Sequence, residues 1–220
     1  MKKNHKKNRY VFIPKKHIRG VSFVRISKML NEFVEGFKFL TKYNKIITIF
    51  GSSRARKGTT YYKEALNLAS LLSKKGYTIA TGGGGGVMEA ANKGAYLAGG
   101  NSIGLNIDLP EEQGLNKYLT DSISFRYFFI RKIMLTFASE AYIFFPGGFG
   151  TLDEFFEIIT LIQTKKLKKI PVILVHAHYW KPLISWMKDM LHKKKKTVNK
   201  QDLKIFKLVH TVEEALKTLN

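Results

Sequence analysis

The 220-residue chain contains no cysteine, which removes disulfide frameworks, thiolate metal sites and cysteine nucleophiles and fits a reducing compartment. Acidic residues are scarce, with 16 Asp and Glu against 38 Lys and Arg and a formal net charge of +22. No apolar run reaches the length of a membrane span. The basic start MKKNHKKNRY is not followed by a signal-type apolar core and small-residue cleavage site. A cytoplasmic protein without a membrane partner is therefore expected. The positive charge is partly local: five Lys and Arg fall in residues 1–9, and Lys193 to Lys196 form a run. No aromatic RNA-binding signature or helix-turn-helix pattern accompanies it, so nonspecific attraction to polyanions is expected in dilute salt, but no dedicated nucleic-acid partner. Also missing are a dinucleotide fingerprint and a Gly-Lys-Ser/Thr after a glycine loop, which takes support from hydride transfer and triphosphate hydrolysis. The 6 histidines show no metal-ligand spacing. His176 and His178 point to opposite faces if their strand stays extended, so no metal is expected.

What is present alternates between strand and helix. Apolar runs at 46–50, 77–80, 101–107, 119–124, 142–145, 170–175 and 206–209 read as strands. Amphipathic or apolar stretches between them read as helices, one ending at Gly76 and a last one starting at Thr211. The strands lack strict polar alternation, so the expected fold is α/β and Rossmann-like: three layers, a mainly parallel sheet with helices on both faces and right-handed crossovers. A basic amino-terminal segment with a docking helix is expected over 1–44, that helix laying Met29, Leu30, Phe33, Phe37 and Leu40 on the main body. The main body is expected to be one domain over 45–220.

The stretch from Tyr142 to Gln163 organises the rest. A short apolar strand runs into Pro146, Gly147, Gly148 and Gly150, and Thr151 opens a helical pattern carried by Leu152, Phe155, Phe156, Ile159 and Ile162. Glycines in such a turn let backbone N–H groups face a ligand, and the helix start adds unpaired donors and a positive dipole end, a setting for phosphate. Asp153 and Glu154 do not belong in a simple phosphate cradle and point to hydroxyls or a developing cation. Thr151 to Glu154 fits a capping box equally well, and the sequence leaves both readings open. Ser52 and Ser53, after the first strand, either contact a ligand or cap the next segment of the chain. Five glycines, Gly82 to Gly86, are costly in a folded chain and suggest close approach of backbone to a ligand at the mouth of the helix starting near Val87. Arg131 and Lys132 sit in an otherwise apolar helix, where a guanidinium either has a partner or ligand or reaches water over its stem. The three loops lie at strand C-terminal ends and can line one crevice. An anion cradle, a carboxylate and an arginine together suit a monophosphorylated sugar, and no cofactor is called for.

PGGFGTLDE, Pro146 to Glu154, resembles the PGGxGTxxE signature of the LOG-type phosphoribohydrolases, often called "lysine decarboxylase family" proteins. Arg131-Lys132, the stretch TGGGGGVMEAANKGA and Gly51-Ser52-Ser53 fall in that family's order and approximate spacing, so the resemblance covers about Lys45 to Trp186. Gly85 departs from it, standing where relatives commonly have proline. The resemblance implies a Rossmann-like, usually dimeric enzyme. It would hydrolyse the N-glycosidic bond of AMP or an N6-substituted AMP, a cytokinin nucleotide, to free base and ribose 5-phosphate. It also implies Arg131 and Glu154 as the catalytic pair and Gly148, Gly150 and Thr151 on the phosphate, with Ser53, Gly84, Gly85, Glu89, Lys132 and Gly147 as further substrate contacts. The decarboxylase label gains nothing from the residues, since neither a pyridoxal-binding lysine nor its partner acid is identifiable. A nucleotide-binding or sensing module that keeps the cradle without turnover is the competing expectation.

Overall fold

The computed structural model describes residues 23–108, 114–137 and 139–219. Seven strands form one sheet: β1 (Ile46–Phe50), β2 (Thr78–Thr81), β3 (Ser102–Ile107), β4 (Asp121–Phe125), β5 (Ala141–Phe144), β6 (Val172–Val175) and β7 (Lys207–Val209). Their order is β4-β3-β2-β1-β5-β6-β7 and every pairing is parallel, so the expected α/β architecture is present. The helices are α1 (Phe23–Leu40), α2 (Thr60–Lys74), α3 (Val87–Leu97), α4 (Phe128–Phe137), α5 (Phe149–Gln163), α6 (Ala177–Trp186) and α7 (Val212–Leu219). A wider π-type turn over Met187–Lys194 continues α6.

Successive strand residues feed opposite faces, as the pleat requires. Ile46, Phe50, Tyr142, Phe144 and Leu174 join one core with α1, α4, α5 and α6. Ile47, Ile49, Ile143, Phe145 and Ile173 join the other with α2, α3 and α7. Because both faces are covered, the strands carry apolar residues at odd and even positions alike, which is why their sequences read as continuous runs. On the second face α2 and α3 meet closely at Gly94, where a Cβ would stand 2.1 Å from the Leu66 carbonyl oxygen. Helix α2 ends as expected at Gly76, whose φ is +85°, with the Tyr77 and Gly76 amides donating to the Leu72 and Ser73 carbonyls.

Helix α1 lies on α4, where Gly36 lets the two approach: a Cβ there would be 2.8 Å from the Met134 sulfur. The face that docks differs from the expected stripe. Met29, Phe33, Phe39 and Leu40 pack on the core, whereas Leu30 and Phe37 are 60% and 46% exposed. The apolar arc of α1 is wider than one docking face, and the close approach at Gly36 selects which part is covered. Residues 1–22, most of the basic segment, lie outside the described residues. No described helix is long and apolar enough to cross a membrane.

Candidate active site

The strand order reverses between β1 and β5, which places the loops following these two strands side by side at the sheet's C-terminal edge. The Ser52 amide donates to the Pro146 carbonyl at 3.1 Å and ties the loops together. They enclose a cavity of about 460 Å³ with the glycine loop after β2, the end of β3 and the start of α4. Of the residues singled out from the sequence, Ser53, Gly84, Arg131, Gly148, Gly150, Thr151 and Glu154 line it. Gly85, Glu89, Lys132 and Gly147 do not.

At the start of α5 the capping-box alternative is not realised. The helix begins at Phe149, Gly148 holds the N-cap position without a side-chain bond, and Thr151 is already inside the first turn. The first helical bond runs from the Leu152 amide to the Gly148 carbonyl at 3.1 Å, so the three amides before it lie where the chain lines the cavity. A Cβ added at Gly148 or Gly150 would meet nothing within 4 Å, so the protein's own packing does not demand glycine at either position. Gly147 is different: a Cβ there would stand 2.1 Å from the Thr151 hydroxyl, so this glycine serves the fold of the turn.

The second glycine loop is built around the protein itself. Gly86, with φ +66°, backs onto the 52–53 loop, where a Cβ would approach the Ser52 carbonyl oxygen to 2.2 Å. The Val87 amide, first in α3, donates to that carbonyl at 2.9 Å and is therefore taken. Gly82 leaves room for the Arg131 guanidinium, 2.3 Å from a hypothetical Cβ. Asn116 holds the loop by donating to the Gly83 and Gly84 carbonyls at 3.0 Å each.

Arg131 is oriented by its Nε donating to the Leu105 carbonyl at 2.9 Å, with its guanidinium carbon 5.8 Å from the Phe128 ring centre. Lys132 faces the other way, its Nζ 2.6 Å from Asp153 and 3.0 Å from Glu157. Burial pulls its pKa down, but hydrogen bonds to both carboxylates outweigh that and raise it. Glu89 sits away from the cavity, with its Oε1 3.3 Å from the Tyr62 hydroxyl and 3.0 Å from Lys57.

Glu154 is the chemically distinctive group. It is 5% exposed, and its Oε2 has no hydrogen-bond partner. Burial raises its pKa from the ordinary 4.5 to about 7, against the pull of Lys132 and Arg131 and with a smaller push from Glu157 and Asp153. A buried carboxyl poised near neutrality at the mouth of an amide cradle is suited to proton transfer or to facing a developing cation.

Sequence reading missed Arg54, Met88, Asn106 and Phe149 among the lining residues. Only Phe149 carried a signal, a bulky apolar residue between two turn glycines; it is 93% exposed. His176 and His178 correct an expectation. The chain leaves β6 through a left-handed residue, His176 with φ +68°, so the extended-strand condition fails. Both rings line a neighbouring hollow of about 520 Å³ instead of opposite faces.

A family model described as "Possible lysine decarboxylase" matches residues 88–219. The chain is 29% identical over 156 residues to the probable cytokinin riboside 5'-monophosphate phosphoribohydrolase LOGL5 of Oryza sativa subsp. japonica, covering 69% of this chain and 62% of that one. It thus spans less than two thirds of that relative. To the cytokinin riboside 5'-monophosphate phosphoribohydrolase of Rhodococcoides fascians it is 27% identical over 149 residues, covering 65% and 74%. The X-ray structure of TM1055 superposes with a TM-score of 0.59 at 26% identity, over 79% of this chain and 97% of that one. The molybdenum cofactor carrier protein of Chlamydomonas reinhardtii superposes with a TM-score of 0.58 over 80% and 98%, at 22% identity a likeness of fold alone. Matched by the family's model over more than half its length, the chain belongs to the "Possible lysine decarboxylase" family, which is the LOG family.

Proposed function

We propose that the protein is a nucleoside 5'-monophosphate phosphoribohydrolase, cleaving the N-glycosidic bond of AMP or an N6-substituted AMP to free base and ribose 5-phosphate. The observation that carries this reading is Glu154, buried, its Oε2 without a hydrogen-bond partner among the described residues and its pKa raised to about 7, in the same cavity as the amide cradle and Arg131. Phosphate on the amides of Phe149, Gly150 and Thr151 would anchor one end of the nucleotide. The cavity's 460 Å³ is in the range of small-ligand sites.

Bond cleavage at the anomeric carbon builds positive charge on the ribose. The Glu154 carboxylate opposes that charge more strongly in the transition state than in the ground state, and it can take the proton of the attacking water. Arg131 stabilises negative charge on the departing base or on the phosphate. Its pKa is too high for it to supply the proton, which the departing base takes from water. Lys132, neutralised by Asp153 and Glu157, acts on Glu154 through space.

The reading extends to a homodimer formed in the cytoplasm. Phe128 and Phe137 on α4 and Phe149 at the cavity rim are 47%, 57% and 93% exposed, an apolar surface beside the site that a second subunit would cover. The test is to incubate purified protein with a panel of nucleoside monophosphates and assay for free base. Release of base that falls by two to four powers of ten in Glu154→Gln, about the scale of one acid–base or electrostatic group, supports the hydrolase. Tight nucleotide binding without release of base means a binding module instead.

A further inference from the structure

Helix α1 carries a second apolar face that the rest of the described residues leave exposed. Phe23, Ile26, Leu30, Val34 and Phe37 are 84%, 46%, 60%, 49% and 46% exposed. At about 100° per residue these five positions fall within an arc of roughly 80°, a single stripe beside the face that docks on α4. Their spacings along the chain are three, four, four and three, symmetric about Leu30. Reversing the helix therefore exchanges Phe23 with Phe37 and Ile26 with Val34, large with large and β-branched with β-branched, and leaves Leu30 in place.

A stripe that maps onto itself under reversal is complementary to an antiparallel copy of itself. We infer that α1 is a self-association surface that pairs antiparallel with α1 of a second copy of this chain, about a two-fold axis at Leu30. In that arrangement Leu30 meets Leu30, Ile26 meets Val34 and Phe23 meets Phe37, with the mean spacing of 3.5 residues that lets two helices interdigitate. Phe129 on α4 extends the patch: it is 48% exposed and its ring centre lies 6.3 Å from that of Phe33. With Phe129, the five stripe residues leave roughly 600 Å² open on each copy, so pairing buries at most roughly 1,200 Å², the lower edge of a stable specific interface. The helix precedes the family-matched residues, and this inference stands whether or not the chain hydrolyses nucleotides.

The absence of native cysteine makes the register directly measurable, because one introduced cysteine is the only thiol in the chain. Leu30→Cys places two thiols across the axis, and mild oxidation of the full-length variant is expected to yield a covalent dimer. Phe23→Cys and Phe37→Cys each hold their own copies roughly 21 Å apart along the axis, too far for a disulfide, so each alone stays uncrosslinked. A mixture of the two is expected to crosslink. In parallel, Leu30→Glu sets like charges on the axis and is expected to weaken self-association, read by light scattering across concentrations, on the order of a hundredfold. The proposal is overturned if Leu30→Cys fails to crosslink, if Phe23→Cys alone crosslinks as readily, or if Leu30→Glu leaves the association constant unchanged.

Discussion

Replacing Glu154 by glutamine removes a carboxyl that burial keeps protonated up to near neutral pH. In the unfolded chain the group titrates near 4.5, and in the folded protein burial moves it to about 7. Between these values the folded state holds a proton that the unfolded state has lost, so stability falls as pH rises from about 4.5 to 7 and the full cost persists above. At 1.36 kcal/mol per pKa unit, the difference amounts to roughly 3 kcal/mol. Glutamine has nearly the same shape and no charge to bury. The variant is therefore expected to exceed the wild type by less than about 1 kcal/mol at pH 5 and by up to about 3 kcal/mol at pH 8.5. For a chain of this size that is a melting-temperature gain of roughly 6 to 12 °C. Thermal and urea unfolding of both proteins at the two pH values measures it, and the comparison within each pH cancels all other titrating groups. An equal effect at both pH values, or destabilisation by about 1 kcal/mol at both as loss of a helix cap would give, refutes the assignment of a buried, functionally retained carboxyl.

Gly150→Ala meets no protein atom and removes a helical glycine, so unfolding should show unchanged or slightly higher stability, while nucleotide hydrolysis should show a raised KM if the cradle holds phosphate. Gly147→Ala, which runs into the Thr151 hydroxyl, should instead cost about 1 to 3 kcal/mol in urea unfolding. Lys132→Met removes a cation that pulls the Glu154 pKa down, so the limb of the pH–rate profile governed by that carboxyl should move to higher pH; a limb that stays in place separates Lys132 from the site. Asn116→Ala frees the Gly84 carbonyl and leaves the Gly83 carbonyl only its 2.9 Å bond from the residue 116 amide, so it should increase hydrogen exchange in the glycine loop without changing that of β5.

Several of these features are legible in the chain's own residues. Short continuous apolar runs such as IITIF, bounded by turn residues, read as strands covered on both sides, and their alternation with helices pointed to the parallel sheet. The glycine turn at 146–150 and the carboxyl after it marked the crevice, since turn glycines at a strand's C-terminal end let backbone N–H groups face a ligand. Other features were not legible, because they depend on which loops meet. That the Val87 amide is consumed by the Ser52 carbonyl, and that Lys132 is spent on Asp153 and Glu157 while Arg131 faces the cavity, results from helix phase and strand order.

The sequence alone determined that a glycine turn and a helix start stand next to an acid at the end of a buried strand, because period, turn chemistry and motif are local properties of the chain. Only the tertiary structure decided that the acid is buried, with its Oε2 unpartnered among the described residues, and poised near neutrality, since desolvation is produced by neighbours distant in the chain. The same holds for α1: its wide apolar arc is written in the sequence, but which half docks and which half faces outward was settled by the close approach of Gly36 to α4.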